Sequence, residues 1–76
     1  NMDIEFKSAR ELYMKVIPAL NTKRRILNKK GIKISDKEIF EYLVKNIWST
    51  KEGLALCDIV NDILSTNDDV FRKVKE

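Results

Sequence analysis

The chain has 76 residues, of which 43% are hydrophobic and 36% charged, with a formal net charge of +3. This length accommodates one domain, and the apolar share is high enough for a folded globule rather than a disordered segment. The sequence contains no histidine and one cysteine, Cys57. It therefore lacks the usual general base, the commonest metal ligand and a structural zinc motif. The composition argues against an enzyme with a small-molecule substrate and against a metal or other cofactor, and it favours a protein that binds a partner.

The distribution of apolar residues predicts no contact with a membrane. No run approaches the roughly 18 apolar residues that a transmembrane helix requires, and the N-terminal stretch does not follow the pattern of a signal peptide. We therefore expect a cytoplasmic protein, consistent with the unpaired cysteine. Asn1 before Met2 resembles a cloning remnant, and residues 1–76 are expected to form a single helical domain.

The first helix is predicted over residues 8–30. It opens with a capping box, Ser8 and Glu11, and Gly31 provides a C-terminal stop. Pro18 lacks an amide hydrogen, and its ring crowds the carbonyl four residues earlier, so a kink or a short break is expected there. One face of this helix carries the apolar residues expected in the core, namely Ala9, Leu12, Tyr13, Val16, Leu20 and Leu27.

Three further helices are predicted, over residues 36–47, 54–65 and 68–75. A second capping box, Ser35 and Glu38, opens the second helix, and Asn67 caps the last one, which is expected to be short and frayed within residues 66–76. The buried face of the second helix is predicted to contain Ile39, Phe40, Leu43, Val44 and Ile47. The predicted fold is an all-α bundle of four helices with no strand.

The third predicted helix has an unusual polar wedge. At about 100° per residue its polar side chains share one side, and the rest of the surface is apolar, so most of the helix should be covered by the protein or by a second copy in a homodimer. Cys57 is expected to be a small core residue. The like charges in the wedge should repel each other, so we expect either an internal partner, Lys23 or Arg24, or a docking site for another molecule. The wedge comprises Asp58, Asn61, Asp62 and Ser65.

A run of cations without any acid lies between residues 23 and 33. Several of them project away from the apolar stripe, and cations on one face can contact the phosphates of a nucleic acid, although surface lysines often only solvate a helix. A helix-turn-helix formed by the second and third helices is disfavoured, because its recognition helix would carry acids. The candidate nucleic-acid contacts are Arg24, Arg25, Lys29, Lys30 and Lys33.

Trp48 admits two interpretations. On a continuous second helix its ring would be exposed beside Lys37 and Lys45, where an indole anchors a partner or stacks on a base. If the helix instead ends near Asn46, the ring folds back over the core, and we favour this second interpretation. In the first case Trp48 would join Asp58, Asn61 and Asp62 in a partner-binding surface.

The most distinctive segment runs from Asp58 to Leu64 and reads Asp-Ile-Val-Asn-Asp-Ile-Leu. With this segment, the chain resembles the small post-transcriptional regulators of Gram-positive bacteria, the ComN-like proteins. The resemblance covers roughly residues 12–64, and the supporting matches are Leu12-Tyr13, Pro18-Ala19-Leu20, Lys23, Gly31, Glu38 and Trp48.

The resemblance implies a cytoplasmic regulator that acts on messenger RNA, with competence genes among its targets. It implies no particular binding residues. We therefore expect a non-catalytic adaptor that contacts messenger RNA directly or through an RNA-associated protein. The competing expectation is a protein-binding module, as a homodimer or with another protein, that makes no contact with nucleic acid.

Overall fold

A computed structural model describes residues 3–4 and 9–76. It contains four helices, which confirms the all-α class, and each described boundary lies within two residues of its prediction. The proposed capping box of Ser8 with Glu11 falls partly outside the described residues. The helices are α1 (Ala9–Lys29), α2 (Asp36–Asn46), α3 (Leu56–Ser65) and α4 (Asp68–Val74).

Local hydrogen bonds determine where α1 ends. Gly31 has a φ of +85°, and the amides of Gly31 and Ile32 donate to the carbonyls of Asn28 and Leu27. This is the Schellman arrangement, in which a left-handed glycine lets the last carbonyls of a helix find donors. Gly31 therefore ends α1 as predicted.

The predicted N-terminal caps of α2 and α4 are also confirmed. At the start of α2 the Glu38 amide donates to Ser35 Oγ, and the Ser35 amide donates to Glu38 Oε1, at 3.1 and 3.0 Å. At the start of α4 the Asp69 amide donates to Asn67 Oδ1 at 2.8 Å. Each bond satisfies an amide that has no partner within its own helix.

Pro18 lies inside α1 without interrupting it, so the predicted short break is wrong. Pro18 is exposed, so the carbonyl of Met14, which cannot receive a hydrogen bond from it, lies on the solvent side of the helix. The buried side chains on the opposite side continue across this position from Val16 to Leu20. Packing of that continuous apolar face offsets the loss of one hydrogen bond on the outer face.

Two very short strands correct the prediction that the chain has none. Asp3–Ile4 (β1) pairs in parallel with Glu52–Leu54 (β2), which contains Gly53 at a φ of +66°. Strands of two and three residues are too short to show the alternation by which a strand is recognised in a sequence. The pairing places the chain segments that lead into α1 and α3 side by side.

The core is centred on α1, which packs against both α2 and α3 and contributes more core side chains than any other helix described. Trp48, in a 3₁₀ turn over Trp48–Thr50, and Phe71 of α4 are both fully buried. Tyr13 and Trp48 each meet the ring of Phe40 edge-on, at centroid distances of 5.1 and 5.8 Å. The other members are Leu12, Val16, Leu20, Leu27, Ile32, Ile34, Ile39, Leu43, Leu54, Ile59 and Ile63.

The predicted core faces are largely confirmed, with some differences. Tyr13 of α1, Val44 of α2 and Ile47, which follows α2, are only half-buried, and Ala9, in the first turn of α1, is exposed. Lys23, in the middle of the α1 stripe, is buried with 3% of its surface exposed. A buried ammonium requires hydrogen-bond acceptors, and those acceptors determine which members of the cationic run remain available to a partner.

Candidate functional site

Lys23 is a structural residue of the acid-free run. Its ammonium donates to the carbonyls of Leu64 and Thr66 at 3.4 and 2.6 Å, and to Asp68 Oδ1 at 2.8 Å. The nitrogen also lies 5.9 Å from the centre of the Phe71 ring. Three bonds use all three ammonium donors, and a cation at the C-terminal end of α3 interacts favourably with that helix dipole. Lys23 thus fixes the turn between α3 and α4 onto α1.

Arg24 and Lys30, two of the candidate nucleic-acid contacts, also pair with acids of the protein. Arg24 Nε bonds Asp36 Oδ1 at 2.9 Å, and Lys30 Nζ bonds Asp68 Oδ2 at 2.5 Å. The hydrogen bonds from Lys23, and then from Lys30, hold the pKa of Asp68 below its ordinary value. An RNA phosphate would have to compete with these carboxylates, so Arg24 and Lys30 are weaker candidates than the sequence indicated.

The other three candidates, Arg25, Lys29 and Lys33, are exposed, and none of them forms a salt bridge with any residue that the structure describes. Arg25 and Lys29 are four residues apart on α1 and therefore share one face. Lys33 follows in the turn between α1 and α2. The Asn28 side chain supports this turn by donating to the carbonyls of Ile32 and Ile34.

The tertiary structure adds two cations that the sequence analysis did not single out. Arg72 and Lys75, from the end of α4, line with Lys33 a concavity of about 310 Å³ beside Gly31 and Ile32. Glu76 also lines it and reduces its positive charge. Only the packing of α4 against the turn brings these side chains together, although three cations among the last five residues, Arg72, Lys73 and Lys75, mark this segment as solvent-facing.

Lys75 is partly neutralised within the protein. It bonds Glu38 Oε2 at 2.7 Å, and this bond, together with the Ser35 amide, lowers the pKa of Glu38 below its ordinary value. Arg72 lies 3.8 Å from Asp69 across one helical turn, with both side chains largely exposed. Exposed pairs of this kind are weak, so a phosphate could displace them.

The prediction that Lys23 or Arg24 pairs with Asp58 or Asp62 is wrong. Asp58 Oδ2 instead accepts the Ala55 amide at 3.0 Å and caps the start of α3. Asp58 therefore has an internal partner, but this partner comes from the chain just before α3 rather than from α1.

Asp62 is the hydrogen-bond partner of the buried tryptophan. The indole Nε1 of Trp48 donates to Asp62 Oδ2 at 2.9 Å, and Lys51 Nζ lies 3.8 Å from the same oxygen. Trp48 has no exposed surface, which confirms that α2 ends and the ring folds over the core. The alternative of an exposed indole is wrong, so Trp48 does not present a ring to a partner.

The apolar part of α3 is more open than its sequence predicted. Only Ile59 and Ile63 are buried, whereas Leu56 and Leu64 retain 41% and 45% of their surface. Cys57, which we expected in the core, is exposed, because it lies on the outer side of the helix away from Ile59. Asn61 is exposed as well and remains accessible to a partner.

The described residues offer no catalytic arrangement of the familiar kinds. A groove of about 380 Å³ between α1 and α2 has a mainly apolar lining, including Tyr13, Phe40 and Val44, with charged side chains at Arg10, Lys37 and Glu41. These lining residues include no nucleophile beside a base. Within residues 9–76, no group of three acids or cysteines could hold a metal ion.

Comparison with known protein families gives a match that covers most of the chain. Residues 9–71 match the profile of a family described as "Post-transcriptional regulator". No curated protein matches the chain. No solved structure matches it either. Among the described helices, none is long and apolar enough to cross a bilayer.

Proposed function

The chain belongs to the post-transcriptional regulator family, and from this premise we propose that it is a non-catalytic cytoplasmic regulator that contacts messenger RNA through Arg25, Lys29 and Lys33. The observation that carries this proposal is the division of the cationic run. Three of its members are held by the protein's own acids or carbonyls, whereas these three are exposed and form no salt bridge with any described residue.

The three cations suit a phosphate backbone better than a base edge. They lie on the last turns of a rigid helix and in the turn that follows, with the Schellman bonds and Asn28 holding that turn in place. Positions held by the fold lose little conformational freedom on binding. Contacts with phosphates carry no sequence information, so such a surface binds RNA with little preference for sequence.

Arg72 and Lys75 extend this basic surface at the same end of the molecule. Their concavity with Lys33 would accept a phosphate, which would replace the weak contacts with Asp69 and Glu38. Single-stranded RNA is flexible enough to pass from the face of α1 to the end of α4. We therefore include Arg72 and Lys75 as secondary contacts.

The test is binding of a short fluorescein-labelled single-stranded RNA, followed by fluorescence anisotropy over a range of salt concentrations. Each phosphate contact with a single strand contributes about 0.7 to the slope of log affinity against log salt. Changing Arg25 and Lys29 together to Ala should therefore weaken binding and flatten the slope by about 1.4. The free energy of unfolding should change by about 0.5 kcal/mol or less, because both side chains are exposed.

The matched control is the double variant Arg10→Ala with Lys45→Ala. It removes the same two kinds of charge from exposed positions, and Arg10 lies about 22 Å along α1 from Arg25. The control should retain both the affinity and the slope of the parent. Equal losses in both double variants would mean that net charge, and not this face, determines binding, and an unchanged Arg25/Lys29 variant would contradict the proposal.

A protein-binding module is the second candidate function, favoured by the exposed apolar side chains of α3. Removal of apolar area from water depends little on salt, unlike the release of counterions from RNA. If the parent chain binds no RNA at low salt but retains a protein partner at high salt, this second function is the correct one. Of the predicted partner-binding residues, the exposed Asn61 is then the one nearest this surface, whereas Asp58 and Asp62 lie on the far side of α3 from Leu56 and Leu64, and Trp48 is buried.

A further inference from the structure

The groove between α1 and α2 takes no part in the proposed contact with RNA. Its volume is about 380 Å³, and its apolar lining includes Tyr13, Phe40 and Val44. The groove is open to solvent, whereas a site for a small molecule encloses most of its ligand. Its shape therefore suits side chains that a larger partner inserts from outside.

The two helices that border the groove run in opposite directions. Tyr13, near the start of α1, contacts Phe40 in α2, whereas Arg24, farther along α1, pairs with Asp36 at the start of α2. Two neighbouring antiparallel helices leave an elongated depression between them. An amphipathic helix that inserts its apolar face is a regular occupant of a groove of this kind.

A cation stands towards each end of the groove. Arg10 precedes Tyr13 by three residues on α1, and Lys37 precedes Phe40 by three residues on α2. Because the helices run in opposite directions, Arg10 and Lys37 lie on opposite sides of the contact between the two rings, about 9 Å apart along the groove. Both side chains are exposed, and neither forms a salt bridge with a residue that the structure describes.

The lining contains one acid, Glu41, which also forms no salt bridge within the described part of the chain. Two cations against one acid leave the groove with a net positive charge. A partner that carries acids on both sides of an apolar patch is therefore complementary to the groove in charge as well as in polarity.

The aromatic rings of the groove offer little surface to a nucleic-acid base. Phe40 is 6% exposed and has the rings of Tyr13 and Trp48 edge-on against it, and Tyr13 is itself half-buried. Stacking of a base requires a free ring face. The groove therefore favours aliphatic side chains of a protein over the bases of RNA.

We propose that the groove binds an amphipathic helix of another protein, with acids at positions i and i+7 and large apolar residues at i+3 and i+4. These four positions share one face of a helix, and the two acids are about 10 Å apart along its axis, close to the spacing of Arg10 and Lys37. The pattern occurs nowhere in the 76 residues, so a second copy of this chain would not supply it. The proposal does not rest on RNA binding, because Arg10 lies about 22 Å along α1 from Arg25.

The experiment is an NMR titration of the isotope-labelled whole chain with three synthetic peptides of about 16 residues, long enough to form a helix. All three carry Leu at i+3 and i+4, and they differ at i and i+7, which are both Glu, both Gln or both Lys. The Glu peptide should shift the amides of residues 9–13 and 37–44. It should bind about tenfold or more tightly than the Lys peptide at low salt, with the Gln peptide between them.

Four results would overturn the proposal. The first is that no peptide shifts these amides at about 1 mM, and the second is that the Lys peptide binds as tightly as the Glu peptide. The third is that the shifts centre on α3, which would assign the peptide to the exposed leucines there. The fourth is that the groove amides respond to RNA, or to the concentration of the chain alone, and not to the Glu peptide.

Arg10→Glu and Arg25→Glu are a matched pair, because they make the same change of charge at two exposed positions of α1. Arg10→Glu should weaken binding of the Glu peptide about tenfold and change RNA affinity little, whereas Arg25→Glu should do the reverse. A failure of the RNA proposal would leave the peptide result intact, so the two proposals can fail separately. Equal effects of both variants on the Glu peptide would contradict the groove as its site.

Glu41→Lys tests the charge of the groove by a gain of binding, which unfolding of the variant cannot imitate. It should strengthen binding of the Glu peptide several-fold at low salt, and the gain should shrink at high salt. Val44→Glu places a carboxylate in the apolar lining and should weaken the same peptide, with circular dichroism to establish that the variant is folded. Unchanged or weaker binding by Glu41→Lys would contradict the proposed complementarity.

Discussion

Two sets of cations from one acid-free stretch have different environments in the folded protein. Lys23, Arg24 and Lys30 form bonds to Asp36, Asp68 and the end of α3, whereas Arg25, Lys29 and Lys33 remain exposed. The two sets are interleaved along the sequence, so the presence of positive charge does not separate them. What separates them is the direction in which each side chain projects from α1 or from the turn that follows it, and the position of the acids that α2 and α4 bring within reach. A charged run in a helix therefore needs to be divided by face before any of it is assigned to a ligand.

The largest difference between the two sets should appear in stability. Replacing Lys23 by Met preserves much of the side-chain volume but removes the donors to two carbonyls and to Asp68, and we expect it to lower the free energy of unfolding by about 2 to 4 kcal/mol. Lys29→Met, the matched change on the exposed face, should cost about 0.5 kcal/mol or less. Urea unfolding monitored by the fluorescence of Trp48, the single tryptophan, measures both. Similar losses in the two variants would remove the distinction between the sets.

Acid should lower the free energy of unfolding through the contacts of Lys23 and Lys30 with Asp68. The pKa of Asp68 is lowered from its ordinary value near 3.8, mainly by the hydrogen bond from Lys23 and then by that from Lys30. A lowered pKa in the folded state means that the unfolded chain takes up the proton first as pH falls. The stabilisation is therefore complete above about pH 5 and is lost as pH falls through the ordinary value and then through the lowered one.

Urea unfolding between pH 7 and pH 3 should show this loss, and Asp68→Asn should be less stable at neutral pH with a smaller dependence on pH. Glu38, whose pKa the Lys75 hydrogen bond also lowers, should add a smaller effect of the same sign, since its partner is more exposed. If Asp68→Asn retained the full dependence of the parent on pH, the link between Asp68 and acid stability would be wrong.

The smallest expected difference is between the adjacent residues Arg24 and Arg25. Arg24→Ala removes a bond to Asp36 from a side chain that is 33% exposed and should cost about 0.5 to 1 kcal/mol, whereas Arg25→Ala should leave stability nearly unchanged. The same pair should behave in the opposite order with RNA, where Arg25→Ala lowers affinity more than Arg24→Ala. Thermal unfolding and RNA anisotropy on the two single variants sharpen the comparison, and a reversed order in either measurement would contradict it.

The local features of the fold were predictable because each depends on neighbours in sequence. The Ser35 and Glu38 capping box, the Gly31 stop and the Asn67 cap are satisfied by atoms within five residues, and all three are present. The all-α class follows from helical periodicity between these signals. The strand pair was not predicted because its strands are too short to show an alternating pattern of apolar residues. The pair also joins segments almost 50 residues apart.

The partners of the polar residues were predicted less well. Lys23 was correctly expected to need acids, but the acid is Asp68, which α4 supplies by folding back across the end of α1. Asp62 was expected to pair with a cation of α1, and it instead accepts a hydrogen bond from the indole Nε1 of Trp48. Charge shows that a partner is required, and it does not show which of several carboxylates will be within 3 Å.

The sequence by itself determined the helices, the caps of α2 and α4, the family and the presence of an acid-free cationic stretch, because these depend on residue types at short separations. Tertiary structure alone decided that Lys23 is buried against Asp68, that Arg72 and Lys75 join Lys33, and that Leu56 and Leu64 stay open to solvent. The reason is geometric. Burial and ion pairing depend on the angle between packed helices and on which face each presents, and these are set by all the contacts of the core together.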